Sequence, residues 1–185
     1  PIFDYWGFNY VCILFDSAAS SYVAPIFWFF VAYLIVRFAV EDTKRLMQMK
    51  HLSLSLRRTS YGANVFLVAV AASFSLCLAI PPQENMVMHT SPFAALMIAF
   101  PLIFVMHCLQ DQNRKMVVVV ACTSFMVVSI VKFIFTFFTL LQLQDIGPIP
   151  GVISRPIDLL WLLFAVSLPF IMPTPTVDPL EKNVA

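Results

Sequence analysis

Charged residues are scarce in this sequence, and their scarcity decides the class of protein. Asp, Glu, Lys and Arg make up 11% of the 185 residues, whereas a soluble protein carries about 25%. Apolar residues make up 61%, more than a water-soluble domain of this length can cover. The sequence therefore predicts a membrane protein and excludes a soluble enzyme. The net charge of +1 leaves no basic surface for nucleic acid.

Glycine is also scarce, with 4 residues against 19 Phe and 13 Pro. Phosphate-binding loops and dinucleotide fingerprints are nearly excluded, because both need several closely spaced glycines. The 4 cysteines are scattered without CxxC or metal-like spacing, so we expect them to act as small apolar residues. No hydrolase or metalloprotease motif occurs. We therefore expect no metal site and no catalytic activity of the chain's own.

Long apolar runs make up most of the chain. A membrane span needs about 20 mostly apolar residues, and it must be helical because lipid offers no partner for free backbone groups. The sequence predicts spans at residues 22–40, 61–80, 93–109, 116–141 and 157–172. The predicted fold is an all-α, polytopic helical membrane protein of about five transmembrane helices. Residues 1–185 then form a single transmembrane domain.

The segments outside these spans are short and polar. Residues 1–21 are aromatic but carry Asp4 and Asp16, which predicts an interfacial segment. Residues 173–185 predict an extended tail. The four predicted loops are residues 41–60, 81–92 with His89, 110–115 and 142–156.

The basic residues predict an orientation. Loops 41–60 and 110–115 and the tail lie at one end of the predicted bundle, which we call end A. The opposite end is end B. Nine of the 11 Lys and Arg fall at end A, which predicts that this end faces inside, with the N-terminus outside and the C-terminus inside. Those nine are Arg37, Lys44, Arg45, Lys50, Arg57, Arg58, Arg114, Lys115 and Lys182.

Lys132 is the most unusual residue of the predicted spans. It interrupts an apolar run, and a charge at the bilayer centre costs about 2.5–3.5 kcal/mol on insertion scales. One interpretation makes Lys132 part of a proton or anion path, or a cofactor contact. The other pairs it with a buried acid, for which Asp158 and Asp16 are the candidates, or lets its amine reach end B.

His107 lies near the end A side of the third predicted span. A histidine in a membrane can bind haem iron or the magnesium of chlorophyll. A self-contained haem with two histidine ligands is disfavoured, because His89 is about 27 Å away along a helix and His51 lies in a loop. A single pigment or haem contact through His107 stays open beside a hydrogen bond to a nearby carbonyl or headgroup. Otherwise we expect no cofactor apart from structural lipids.

Two further patterns bear on packing. Ala69, Ser73 and Cys77 are spaced by four, so they share one helix face, which predicts close helix contact there and places the second span at the bundle centre. Nineteen Phe exceed what five short helices can bury. Outward Phe would contact lipid, pigment or neighbouring subunits.

These features favour a structural role. We expect an accessory multi-pass subunit of a larger respiratory or photosynthetic membrane complex, bound to lipids and to other membrane subunits. The alternative is a small channel or transporter whose path is lined by Lys132. No secretory signal is visible, which favours an organellar inner membrane such as that of the mitochondrion.

Overall fold

The computed structural model describes residues 20–80, 84–111, 115–140 and 151–171, and these residues are almost entirely helical. In chain order the helices are α1 (Ser20–Gln48), α2 (Leu54–Ser73), α3 (Ser75–Ala79), α4 (Met86–Gln110), α5 (Met116–Leu140) and α6 (Gly151–Ile171). Helices α2 and α3 form one rod, because Phe74 between them also has helical dihedral angles. Two predicted segments lie outside the described residues. They are the interfacial segment 1–21 as far as residue 19, which includes Asp16, and the tail 173–185.

Four of the rods are long and apolar enough to cross a membrane: Val23–Gln48, Leu54–Ala79, Val87–Gln110 and Met116–Phe137. A shorter apolar stretch, Pro156–Ile171, belongs to α6. The predicted fold class, a helical membrane protein of about five helices, is confirmed.

Helix α4 lies at the centre of the bundle. Buried residues make up 56% of its membrane-length window and only 17% of that of α1. It packs against α2 and α3 on one side and against α5 on the other, while α1 covers α2 and α6 covers α5. The Trp28 indole of α1 donates a hydrogen bond of 3.3 Å to the Ala71 carbonyl of α2. The prediction that the second span forms the centre is wrong.

The small-residue face of the second span is also not the one that packs. Ala69 is exposed, and of that predicted face only Cys77 is fully buried. The buried face of α2 instead carries Ser60, Ala63, Asn64, Leu67 and Ala71. At 3.6 residues per turn these positions share one side, and the hydrogen bonds of Ser60 and Asn64 hold that side inward.

The predicted loop 41–60 is mostly helical. Helix α1 continues beyond Val40 to Gln48, and α2 begins at Leu54 after Ser53, whose side chain accepts a hydrogen bond from the Leu56 amide at 3.2 Å. Leu46, Met49 and Leu52 form a small buried cluster at this end. The predicted span ends at residue 40 because charged residues follow. The helix continues beyond it because an amphipathic helix can extend past an apolar run.

Two other helices begin earlier than predicted. Helix α4 begins at Met86, where Asn85 caps it by accepting a 3.0 Å hydrogen bond from the Met88 amide. His89 is therefore helical rather than in a turn, and its Nδ1 lies 2.8 Å from the carbonyl of Ile80. Helix α6 begins at Gly151. By contrast, α5 agrees with its predicted span to one residue.

Candidate functional site: two buried polar clusters

The first cluster is an ion pair between α5 and α6, which we call the Lys132 pair. The ammonium of Lys132, 2% exposed, donates to the carboxylate of Asp158, 6% exposed. The same nitrogen lies 5.3 Å from the centre of the Phe93 ring on α4. Asp158 is one of the two acids that the sequence offers as partners for Lys132. This contact gives both charges the partner that burial in a membrane requires.

Hydrogen bonds on either side of the Lys132 pair fix its position. One turn before Lys132, the hydroxyl of Ser129 accepts a 3.0 Å hydrogen bond from the indole of Trp161, which lies one turn after Asp158. One turn after Lys132, the Thr136 hydroxyl donates to the Lys132 carbonyl at 3.0 Å. Helices α5 and α6 are therefore joined at two successive levels.

The second cluster lies near end A, around a buried carboxylate on α1. Asp42 is 5% exposed, and its carboxylate contacts three other polar groups. Oδ1 is paired with the Arg45 guanidinium and lies 3.1 Å from Nε2 of His107 on α4. Oδ2 accepts a 2.8 Å hydrogen bond from the Asn64 amide on α2. One carboxylate thus joins α1, α2 and α4.

Gln110 extends this arrangement to the end of α4. Its carbonyl oxygen accepts from Arg45, and its amide donates to the Ser60 hydroxyl at 3.0 Å. The ring of Phe38 stacks on His107 with 5.5 Å between ring centres. We call the set of Asp42, Arg45, Ser60, Asn64, His107 and Gln110 the Asp42 cluster.

Aromatic rings fill the bundle between the two clusters. Phe125 of α5 is fully buried, with its ring centre 5.7 Å from Phe104 of α4 and 6.0 Å from Trp161 of α6. On α4, Phe100 and Phe104 lie between Phe93, which contacts Lys132, and His107, which contacts Asp42. From Phe93 to His107 the helix rises about 21 Å. The two clusters therefore lie at separate depths with a packed aromatic layer between them.

Asp158 is one of two acids that the sequence offers as a partner of Lys132, whereas the Asp42 cluster is not predicted from the sequence. A loop at residues 41–60 implies that Asp42, Arg45 and Ser60 are exposed to water, so no buried contact is expected for them. The available signal was the spacing of Asp42 and Arg45 by three, which puts both on one face of a continued helix, together with Asn64 and Gln110 beside apolar runs.

His107 is a residue that the sequence singles out, and in the structure it belongs to the Asp42 cluster. Its Nε2 lies 3.1 Å from Oδ1 of Asp42. A pigment or haem contact through His107 stays a prediction. Within the described ranges, no three His, Cys, Asp or Glu side chains are grouped to hold a metal ion. Cys77, Cys108 and Cys122 are buried.

Comparison of the chain with known proteins returns no match to a family model, to a curated protein or to a solved structure.

Proposed function

We propose that this protein is an accessory, structural subunit of a larger energy-converting membrane complex, respiratory or photosynthetic. The observation that carries the proposal is that the buried charges are paired with one another in two clusters, and that a layer of aromatic side chains separates these clusters. A conducting path needs polar groups at successive depths along one cavity. Clusters whose charges are already paired instead hold helices together.

The outer surface supports the same role. Helix α1 exposes large aromatic side chains, among them Phe27 at 69%, Phe29 at 70% and Phe30 at 60%. Aromatic side chains contribute strongly to interfaces because each buries about 150–250 Å². Among the described residues, α1 is the least buried of the four long helices, so its exposed apolar face is the proposed contact with lipid and with neighbouring subunits.

The proposed setting is an organellar inner membrane with end A inside. The bias of Lys and Arg toward end A supports this orientation. Contacts of Arg45 and Ser60 with Gln110 bring the end of α1, the start of α2 and the end of α4 together. The basic residues between Lys44 and Arg58 and the nearby Lys115 therefore belong to one end of the bundle.

Purification from native membranes tests the accessory role. The full chain carrying an affinity tag is extracted in mild detergent, and its complex is sized by blue-native electrophoresis and identified by mass spectrometry. We expect the chain to migrate with other membrane subunits in fixed stoichiometry. A monodisperse, stable monomer under the same conditions would contradict the proposal.

A second candidate is a small channel or transporter with Lys132 in its path, which the burial of an ion pair among membrane-spanning helices favours. Reconstitution of the purified chain into vesicles, with proton and anion flux as the readout, separates the candidates. Flux that is abolished by Lys132→Met in a folded protein supports a transporter. Vesicles without flux above that of protein-free vesicles support the structural role.

A further inference from the structure

A groove on the outer surface lies between α1 and α2 near end A, and we propose that it binds one anionic phospholipid. Its volume is about 350 Å³, within the range of about 300–1,000 Å³ that small-molecule sites occupy. Its lining residues are Ala39, Val40, Thr43, Lys44, Tyr61, Asn64, Val65 and Val68. The inference depends only on membrane embedding, so its failure leaves the accessory role unaffected.

The groove has an apolar part and a polar part, and they are arranged as a phospholipid needs. Ala39 and Val40 on α1 face Val65 and Val68 on α2 in the part directed into the membrane. Thr43, Lys44 and Tyr61 lie toward end A. An acyl chain along the first part places its phosphate at the second.

Charge selects an anionic headgroup. Lys44 is 3.0 Å from Glu41, and both side chains are largely exposed, so this surface pair is weak and can exchange partners. Arg58 is exposed and lies one turn before Tyr61 on the same face of α2 as Val65. Juxtamembrane Lys and Arg attract anionic lipids by about 1 kcal/mol each. Lys44 and Arg58 are therefore the proposed phosphate contacts, with the Tyr61 hydroxyl as a further donor.

The position of the polar residues sets the depth of the headgroup. Lys44 and Tyr61 lie nearer end A than Val65 and Val68. The phosphate therefore lies at the level of Lys44 and Tyr61, and the acyl chain extends past them along the apolar part. A free phosphate ion has no such chain to hold it in the groove.

Lipid binding to the full-length chain tests the site. The purified protein in a neutral detergent is titrated with phosphatidylglycerol, phosphatidylcholine or inorganic phosphate, and retained lipid is measured by native mass spectrometry. We expect one phosphatidylglycerol retained preferentially over phosphatidylcholine. Protection from thermal unfolding is measured with the same three ligands. Equal retention of the two lipids would overturn the proposal, and so would protection by inorganic phosphate equal to that by phosphatidylglycerol.

Variants with matched controls locate the bound lipid. Lys44→Gln and Arg58→Gln should each weaken phosphatidylglycerol binding about fivefold. Lys115→Gln removes an exposed lysine at the same end but outside the groove, and it should have no effect. Glu41→Gln should strengthen binding because it frees Lys44. A loss with Lys115→Gln as large as that with Lys44→Gln would mean diffuse attraction and overturn the site.

Filling the groove gives an independent check. Val65→Trp should abolish retention of phosphatidylglycerol, whereas Val127→Trp on the exposed face of α5 should leave it unchanged. Far-UV circular dichroism confirms that each variant keeps its helices, and the Lys44 and Arg58 variants decide the matter if Val65→Trp does not fold. Unchanged retention by a folded Val65→Trp protein would exclude the groove.

Discussion

Nε2 of His107 on α4 lies 3.1 Å from Oδ1 of Asp42 on α1. These two residues come from different predicted segments, one assigned to a span and one to a loop. Their contact joins the central helix to the outermost helix at end A, together with the hydrogen bond from Arg45 to Gln110. Arg45 and Asn64 complete the set of groups around the same carboxylate.

Removing the charge of Asp42 should destabilise the protein strongly. Asp42→Asn leaves the guanidinium of Arg45 partly buried without its counter-charge, and breaking a buried ion pair costs about 3–5 kcal/mol. We expect a loss of unfolding free energy of this order, measured by denaturation in mixed micelles. Glu41→Gln is the control, because it breaks an exposed pair with Lys44 worth less than about 1 kcal/mol. Equal effects of the two substitutions would contradict the importance of the Asp42 cluster.

The Lys132 pair should show compensation. Lys132→Met alone leaves the Asp158 carboxylate buried without its partner and should destabilise the protein by about 3–5 kcal/mol. The double variant Lys132→Met with Asp158→Leu removes both charges and should recover most of that loss. A double-mutant cycle of unfolding free energies measures the coupling. Additive single effects would mean that the two side chains do not interact.

The aromatic residues should separate into two classes. Phe125→Ala empties a fully buried position and should cost about 3–5 kcal/mol of stability. Phe29→Ala truncates a side chain that is 70% exposed and should leave the stability of the isolated chain unchanged. In native membranes Phe29→Ala, combined with Phe30→Ala, should instead weaken association with neighbouring subunits, measured by co-purification. Retained association would count against α1 as the contact helix.

The predicted orientation can be tested by cysteine labelling. Residues 51 and 84 are exposed in connections at opposite ends of the bundle. In a background with Cys12→Ser, His51→Cys should react with an impermeant maleimide only from the inner side, and Glu84→Cys only from the outer side. Labelling of both from one side would contradict a helical rod crossing the membrane between them. Unreacted Cys77, Cys108 and Cys122 serve as the internal control because they are buried.

The sequence predicts apolar helices well where their ends coincide with a change of composition. Helix α5 follows the run of apolar residues from Met116 and agrees with its prediction. Helix α1 does not stop where its apolar run stops, because backbone hydrogen bonds continue through Asp42 and Arg45 as long as one face stays packed. Hydropathy reports the end of an apolar run, and this coincides with the end of the helix in α5 but not in α1.

The two polar clusters differ in how far the sequence reveals them. Lys132 is visible because it is isolated among apolar residues, and few acids are available to pair with it. Asp42 lies in a polar stretch of the chain, and its spacing by three from Arg45 indicates a shared helix face without showing that this face is buried. Its burial depends on Asn64 and His107, and this proximity arises only when the helices pack.

The pairing of Lys132 with Asp158 also has a consequence for the insertion of α5 and α6 into the membrane. Helix α5 leaves the ribosome before α6, so its lysine enters the membrane without the acid that later neutralises it. A membrane-length window of α5 has a mean hydropathy of 2.4, which offsets an insertion cost of about 2.5–3.5 kcal/mol for one lysine. Helix α6 contributes the acid and is the shorter apolar segment. We therefore expect α5 and α6 to insert as a helical hairpin, in which the ammonium of Lys132 attracts the carboxylate of Asp158.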